Sequence, residues 1–276
     1  MLKIFQEDPI FKKSVKIRPV EEIINIQIFR PLAHLILLKI ANKNIKAEQI
    51  VLIHTLLVIL CSFLILYSND LVLNFVIFVL LQLKTVLDNL DGQIARYKEI
   101  ESTFGRYFDT MMDYLGNLSL FLSIGIKHSV LPFSLLSFFA FTWVLSYDFN
   151  LERIFKDKQN LETKRTKEND KIDKKTKFLK NIYDFFLGFQ DKSIEKIENV
   201  IFELISRKKD IQTAKNLFWN KRYLNVTANM GLSTQIFILG LLVLFGLEKI
   251  YLLIPFICLF TILILFVYRC YVVYKG

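Results

Sequence analysis

Six apolar runs, each about as long as a bilayer is thick, constrain this chain more than any other feature of its sequence. A helix needs about 20 predominantly apolar residues to cross the hydrocarbon. The runs cover 49–67, 71 to about 97, 104–126, 130 to about 149, 224–247 and 250–274. Lipid offers the backbone no hydrogen-bond partners, so a segment that crosses it closes its own bonds as a helix. The expected fold is therefore an all-α integral membrane protein with six transmembrane helices. The second and third runs lose apolar character at their shared end, where acids cluster.

Of 276 residues, 53% are hydrophobic and 26 are Phe, yet the net charge is +10, so the charges must be segregated from the apolar mass. Lys and Arg concentrate before the first run, at Arg96 and Lys98, across 150–222, and at Arg269 and Lys275. The alternate connections near Asn69, Lys127 and Lys249 are short and weakly charged. By the positive-inside rule both termini and the acid-bearing turn face the cytoplasm. The basic residues are interleaved with acids and kept near the membrane, which points to anionic lipid headgroups and away from nucleic acid. Nothing at the N-terminus reads as a cleavable signal peptide. Cys61, Cys258 and Cys270 lie inside apolar runs without ligand spacing and read as core residues.

Three parts are expected. Residues 1–46 form a cytoplasmic N-terminal segment, and 47–150 with 223–276 form the transmembrane domain. Residues 151–222 form a charged cytoplasmic insertion. Within the first part, 19–40 spaces Ile24, Ile28, Leu32, Leu35 and Ile36 as an amphipathic helix lying in the interface, with Pro31 starting or kinking it. Within the insertion, 156–177 is a mixed-charge stretch without an apolar face. By contrast, 178–205 is amphipathic and suits a surface helix that packs on the protein or lies on the membrane.

The chemistry is concentrated in DNLDGQIARYKEIESTFGRYFDTMMD, residues 88–113. Ionisable groups in membrane helices are costly and mark function. Asp88 and Asp91 are three apart and Asp109 and Asp113 four apart, so each pair shares a helix face. A short turn brings the two helices together, and four converging carboxylates repel unless cations lie between them. Hard oxygen ligands select Mg²⁺, Mn²⁺ or Ca²⁺. Gly92, Ala95 and Gly105 permit close approach, and Arg96 and Arg106 are placed to clamp phosphate oxygens.

These residues resemble, without a gap, the signature D-x₂-D-G-x₂-A-R-x₈-G-x₃-D-x₃-D of the CDP-alcohol phosphotransferases (CDP-alcohol phosphatidyltransferases). The resemblance implies that Asp88, Asp91, Asp109 and Asp113 hold two divalent cations, Mg²⁺ or Mn²⁺, on the donor diphosphate. It implies that Gly92, Ala95, Arg96 and Gly105 receive the cytidine and phosphate, and that Asp113 is the catalytic base. The implied reaction passes a phosphatidyl or phospho-alcohol group from a CDP-linked donor to an alcohol acceptor, releasing CMP, in phospholipid synthesis and by a homodimer. The donor is either CDP-diacylglycerol or a small CDP-alcohol serving a lipid or polyol acceptor.

The chain departs from the family where many members carry Pro-Asn-x-x-Thr at the first span. Ala47, Glu48 and Val51 stand there, leaving Glu48 or Gln49 as substitutes. Arg106, Asn117, Arg222, Asn229 and Thr234, with Ser233 and Gln235, are candidates for an acceptor pocket or for interhelical hydrogen bonds. His54, midway along the first run, reads as a packing residue rather than a ligand. Two rival classes are a cation-pathway transporter, which predicts acids spread through the membrane depth, and an inactive scaffold acting through 151–222.

Overall fold

In a computed structural model, which describes residues 8–16, 18–158, 173–206 and 210–275, the chain is helical, with no strand among the described residues. Helix α1 (Pro9–Ser14) is capped by the Asp8 carboxylate, which accepts from the Ile10 N–H at 2.8 Å. A π-helical stretch, Asn25–Phe29, leads into α2 (Arg30–Ile40). Pro31 is the second residue of α2, directly after the π-helical stretch, so the helical run changes its hydrogen-bond register just where the proline supplies no N–H. The expected single helix over 19–40 is thus a π-helical stretch followed by α2. One side of α2 packs Ala33 and Leu37 onto the bundle, while Leu32, Leu35 and Leu38 remain exposed.

The bundle consists of α3 (Ala47–Tyr67), α4 (Leu71–Tyr97), α5 (Thr103–Lys127) and α6 (Leu131–Lys158), with α11 (Leu232–Leu244) and α13 (Ile254–Lys275) from the end of the chain. Its core stacks Val58 and Cys61 of α3, Ile77 and Leu81 of α4, Phe121 and Ile124 of α5, Phe141 of α6 and Leu239 of α11. Outward faces are as apolar as this core: Leu56 of α3 is 65% exposed and Phe260 of α13 is 63% exposed. A bundle apolar inside and out is built for lipid as solvent.

Five stretches are long and apolar enough to cross a membrane: α3, α4, α6, Ile211–Leu244 and Glu248–Lys275. The third expected span, α5, is not among them, because Asp109, Asp113 and Asn117 dilute its apolar character. The expected fifth span is broken. Helix α10 (Lys221–Ala228) ends at Asn229, and α11 starts after Gly231. The sixth begins with a short turn, α12 (Glu248–Tyr251), before α13. Helix α6 continues to Lys158, past the expected end near 149, because Leu151, Ile154 and Phe155 are buried.

The insertion is folded against this bundle. Helix α7 (Lys174–Phe186) lies on α5 through Tyr183 on Tyr107 and Phe186 on Tyr114, with ring centroids 5.3 and 5.2 Å apart. Helix α8 (Gly188–Ser206) lies on α6, where the Gln190 amide donates to Thr142 Oγ1 at 3.0 Å and the Asn150 amide to Asp191 at 2.7 Å. Helix α9 (Ile211–Phe218) packs on α13. Glu198 on α8 accepts from Arg269 of α13 at 2.5 Å, from the Tyr147 hydroxyl of α6 at 2.8 Å and from the Trp219 indole at 3.2 Å. The amphipathic segment of the insertion therefore packs on the protein. Most of the mixed-charge stretch, 159–172, lies outside the described residues.

Candidate active site

Two capped helix ends present the acids. The turn after α4 closes through Glu99, at φ 59°, and Ser102 then caps α5 by accepting from the Gly105 N–H at 2.9 Å. The sequence suggested that the two acid-bearing helices would be direct neighbours. Instead, α3 is the principal packing partner of both. That arrangement delivers His54, fully buried, into the middle of the acids. Its Nε2 is 3.1 Å from Asp91 Oδ2 and 3.9 Å from Asp109 Oδ1, and its Nδ1 is 4.0 Å from Asp113 Oδ1.

Single ligand atoms of His54, Asp88, Asp91 and Asp109 all lie within 4.8 Å of one another. Asp109 Oδ1 is buried and has no hydrogen-bond partner. A cluster of acceptors with an orphaned carboxylate oxygen fits a divalent cation, which would take several of these atoms at once. Asp113 stands on the other side of His54 with a different partner. Lys84, one turn before Asp88 and 2% exposed, donates to Asp113 Oδ1 at 2.8 Å and to Asp88 Oδ1 at 3.2 Å.

A cleft of about 220 Å³ adjoins the carboxylates. Its wall includes Asp88, Asp91 and Asp109, with Gly92, Gln93, Arg96, Lys16 and Arg30 around them. Arg96 donates from Nε to the Ser14 carbonyl at 2.6 Å. A Cβ on Gly92 would lie 3.1 Å from both terminal nitrogens of Arg96, so this glycine keeps the guanidinium in place. A Cβ on Gly105 would lie 3.1 Å from Ser102 Oγ and 3.8 Å from Glu48 Oε1, which brings Glu48 to the acid-bearing end. Gln49 instead accepts from the Lys46 N–H at 3.0 Å, capping α3. Arg30 pairs with Glu21 at 2.7 Å and accepts at its carbonyl from Gln93 at 3.1 Å. Ala95 is half-buried in the last turns of α4 and does not wall the cleft.

The acceptor-pocket candidates do not gather here. Arg106 is exposed over the Tyr107 ring, Arg222 is exposed at the start of α10, and Asn117 is buried one turn beyond Asp113. Asn229 accepts from the Ile23 N–H at 3.0 Å, and the Thr234 N–H donates to Glu22 Oε1 at 2.5 Å. These two sites hold the N-terminal segment. Glu22 is buried enough that its carboxyl sits above the ordinary range, burial being the largest cause.

His54 and Lys84 among the acids, and Lys16, Arg30 and Gln93 in the cleft wall, are the site residues missed in reading the sequence for function. Lys84 carried a signal, a lone cation in an apolar run at i−4 from Asp88. His54 carried none, since its role depends on how a third helix packs.

A family model, CDP-alcohol phosphatidyltransferase, matches residues 44–185, just over half of the chain. No curated protein and no solved structure matches it.

Proposed function

We infer the reaction from one premise: the chain belongs to the CDP-alcohol phosphatidyltransferase family. Membership implies a transferase that takes a phosphate-linked group from a CDP-activated alcohol. The finer reading is that an acceptor hydroxyl attacks the β-phosphorus of the CDP-linked donor. The new O–P bond forms as the bridging P–O bond breaks, CMP leaves with that electron pair, and the hydroxyl proton passes to Asp113. Phospholipid synthesis, with CDP-diacylglycerol as donor, is the leading use.

The observation that carries this reading is the convergence of His54, Asp88, Asp91 and Asp109 beside a cleft walled by Lys16, Arg30 and Arg96. The cleft is acidic at one edge and cationic at another, which suits a diphosphate held between metal and guanidinium. Its volume admits a diphosphate but not a whole CDP-lipid, consistent with acyl chains that stay in the bilayer. His54, Asp88, Asp91 and Asp109 would hold a divalent ion. When bound, the ion neutralises diphosphate charge and makes CMP a better leaving group.

Asp113 is the base in this scheme because it lies outside the group of His54, Asp88, Asp91 and Asp109 and is oriented by Lys84, whose ammonium also reaches Asp88. Arg96, itself held by Ser14, steadies the phosphates. Helix α5 serves as the third span and brings the number to six, its acids sheltered by α3, with the acid-bearing end and both termini cytoplasmic and α2 lying along the interface. The exposed Leu32, Leu35 and Leu38 support that placement of α2. The acids gather at one end of the bundle, which favours catalysis over an ion pathway.

The test is CMP release by the purified protein in nanodiscs, with Mg²⁺ or Mn²⁺ and a panel of CDP-linked donors crossed with alcohol acceptors. Metal-dependent release by the wild type, absent from Asp109→Asn, is expected. Release equal in both proteins, or none from any pair, would sink the reading.

A further inference from the structure

Resemblance to the family implies two cations shared by four aspartates, but Lys84 is hard to reconcile with the second. Its ammonium bonds to both Asp88 and Asp113, at 3.2 and 2.8 Å. A divalent ion bridging those two carboxylates would sit about 2.0–2.1 Å from their oxygens. That is the space Nζ already fills, and a like charge would stand beside the ion. Lys84 has no route to solvent, being 2% exposed and held on the helical face of Asp88 four residues on.

The other side of the cluster is different. There His54 Nε2 replaces an aspartate as the fourth ligand, with Asp88, Asp91 and Asp109, and Asp113 is not in that group. One observation marks this side as a ligand site: Asp109 Oδ1 is buried without a hydrogen-bond partner, 3.9 Å from His54 Nε2.

We infer that this chain binds one divalent cation, on His54, Asp88, Asp91 and Asp109, and that the Lys84 ammonium permanently holds the place a second cation would take between Asp88 and Asp113. The inference rests on the proposed metal site and adds its number and its fixed partner. Lys84 is then a positioning residue. It keeps Asp113 aimed without a metal to do so.

The experiment counts manganese. Wild-type protein in nanodiscs, loaded with Mn²⁺ and dialysed, is analysed for metal per chain and by electron paramagnetic resonance. One Mn²⁺ per chain with a single-ion spectrum is expected. Lys84→Met is expected to bind two, with the spin-coupled spectrum of ions about 3.5–4 Å apart. Lys84→Arg, which keeps the charge, should stay at one. Two ions in the wild type would overturn the inference and leave the transferase reading intact. No bound metal would overturn the site itself. One ion in a folded Lys84→Met would remove the lysine's part. If Lys84→Met does not fold, Lys84→Gln replaces it, and the wild-type count still decides the number of ions.

Discussion

At the scale of single residues, the site divides into two halves that the aspartate spacing alone does not separate. Asp91 and Asp109 face His54 Nε2, whereas Asp113 faces Lys84. A base and a ligand have different signatures on removal. Asp113→Asn should lower kcat for CMP release about 10²- to 10⁴-fold, the usual contribution of a positioned base, while leaving bound Mn²⁺ unchanged. Parallel loss of metal and rate would place Asp113 among the ligands instead. The aspartates were legible because i, i+3 and i, i+4 spacing is fixed by helix geometry. His54 was not, because a histidine in an apolar run has the same sequence context whether it packs or ligates.

At the scale of elements, apolar run length located α3, α4 and the start of α6 well, since a span must offer apolar residues across the bilayer, but not the end of α6, which is set by burial against the protein. It found the span at 224–247 but not its break at Asn229–Gly231, after which Thr234 donates to Glu22, 212 residues earlier. No local pattern announces a helix start supplied by so distant a carboxylate. Helix α1 depends on another long-range contact, Asp8 with His34 at 2.8 Å. The hydrogen bond from His34 is the largest cause holding the Asp8 carboxyl below its ordinary range. An acid with a depressed folded pKa stabilises above its unfolded value, about 3.9. That stabilisation is lost as pH falls through the lower folded value. Amides of α1 should therefore keep their hydrogen-exchange protection from pH 7 down to about 5 and lose it only below about 4. Loss of protection near pH 6 would show that the Asp8 carboxylate does not control the docking.

At the scale of the molecule, a buried ion pair helps to fix the insertion to the membrane helices. Glu198 and Arg269 are each 1% exposed, and Tyr147 and Trp219 complete the hydrogen bonds. Removing one partner of such a pair strands a charge and costs about 3–5 kcal/mol. Glu198→Gln should accordingly lower thermal stability in detergent sharply. Glu198→Leu with Arg269→Met should recover much of the loss, and no recovery would mean the pair contributes more than it costs to bury. The sequence showed the amphipathic pattern of 178–205 but could not show its partner, because Arg269 reads equally well as a cytoplasmic end charge.

The stretch from Arg18 to Ile23 is fastened to Glu152, Asn229 and Thr234. Protein synthesis runs in one direction, so the first of these residues leaves the ribosome long before its partners exist. Lys16, which that stretch carries to the wall of the cleft, can be seated only after nearly the whole chain has been made and inserted. A half-built chain in the membrane would therefore hold its aspartates with Arg30 and Arg96 but without Lys16, so the cationic wall of the cleft is the last part of the site to be finished.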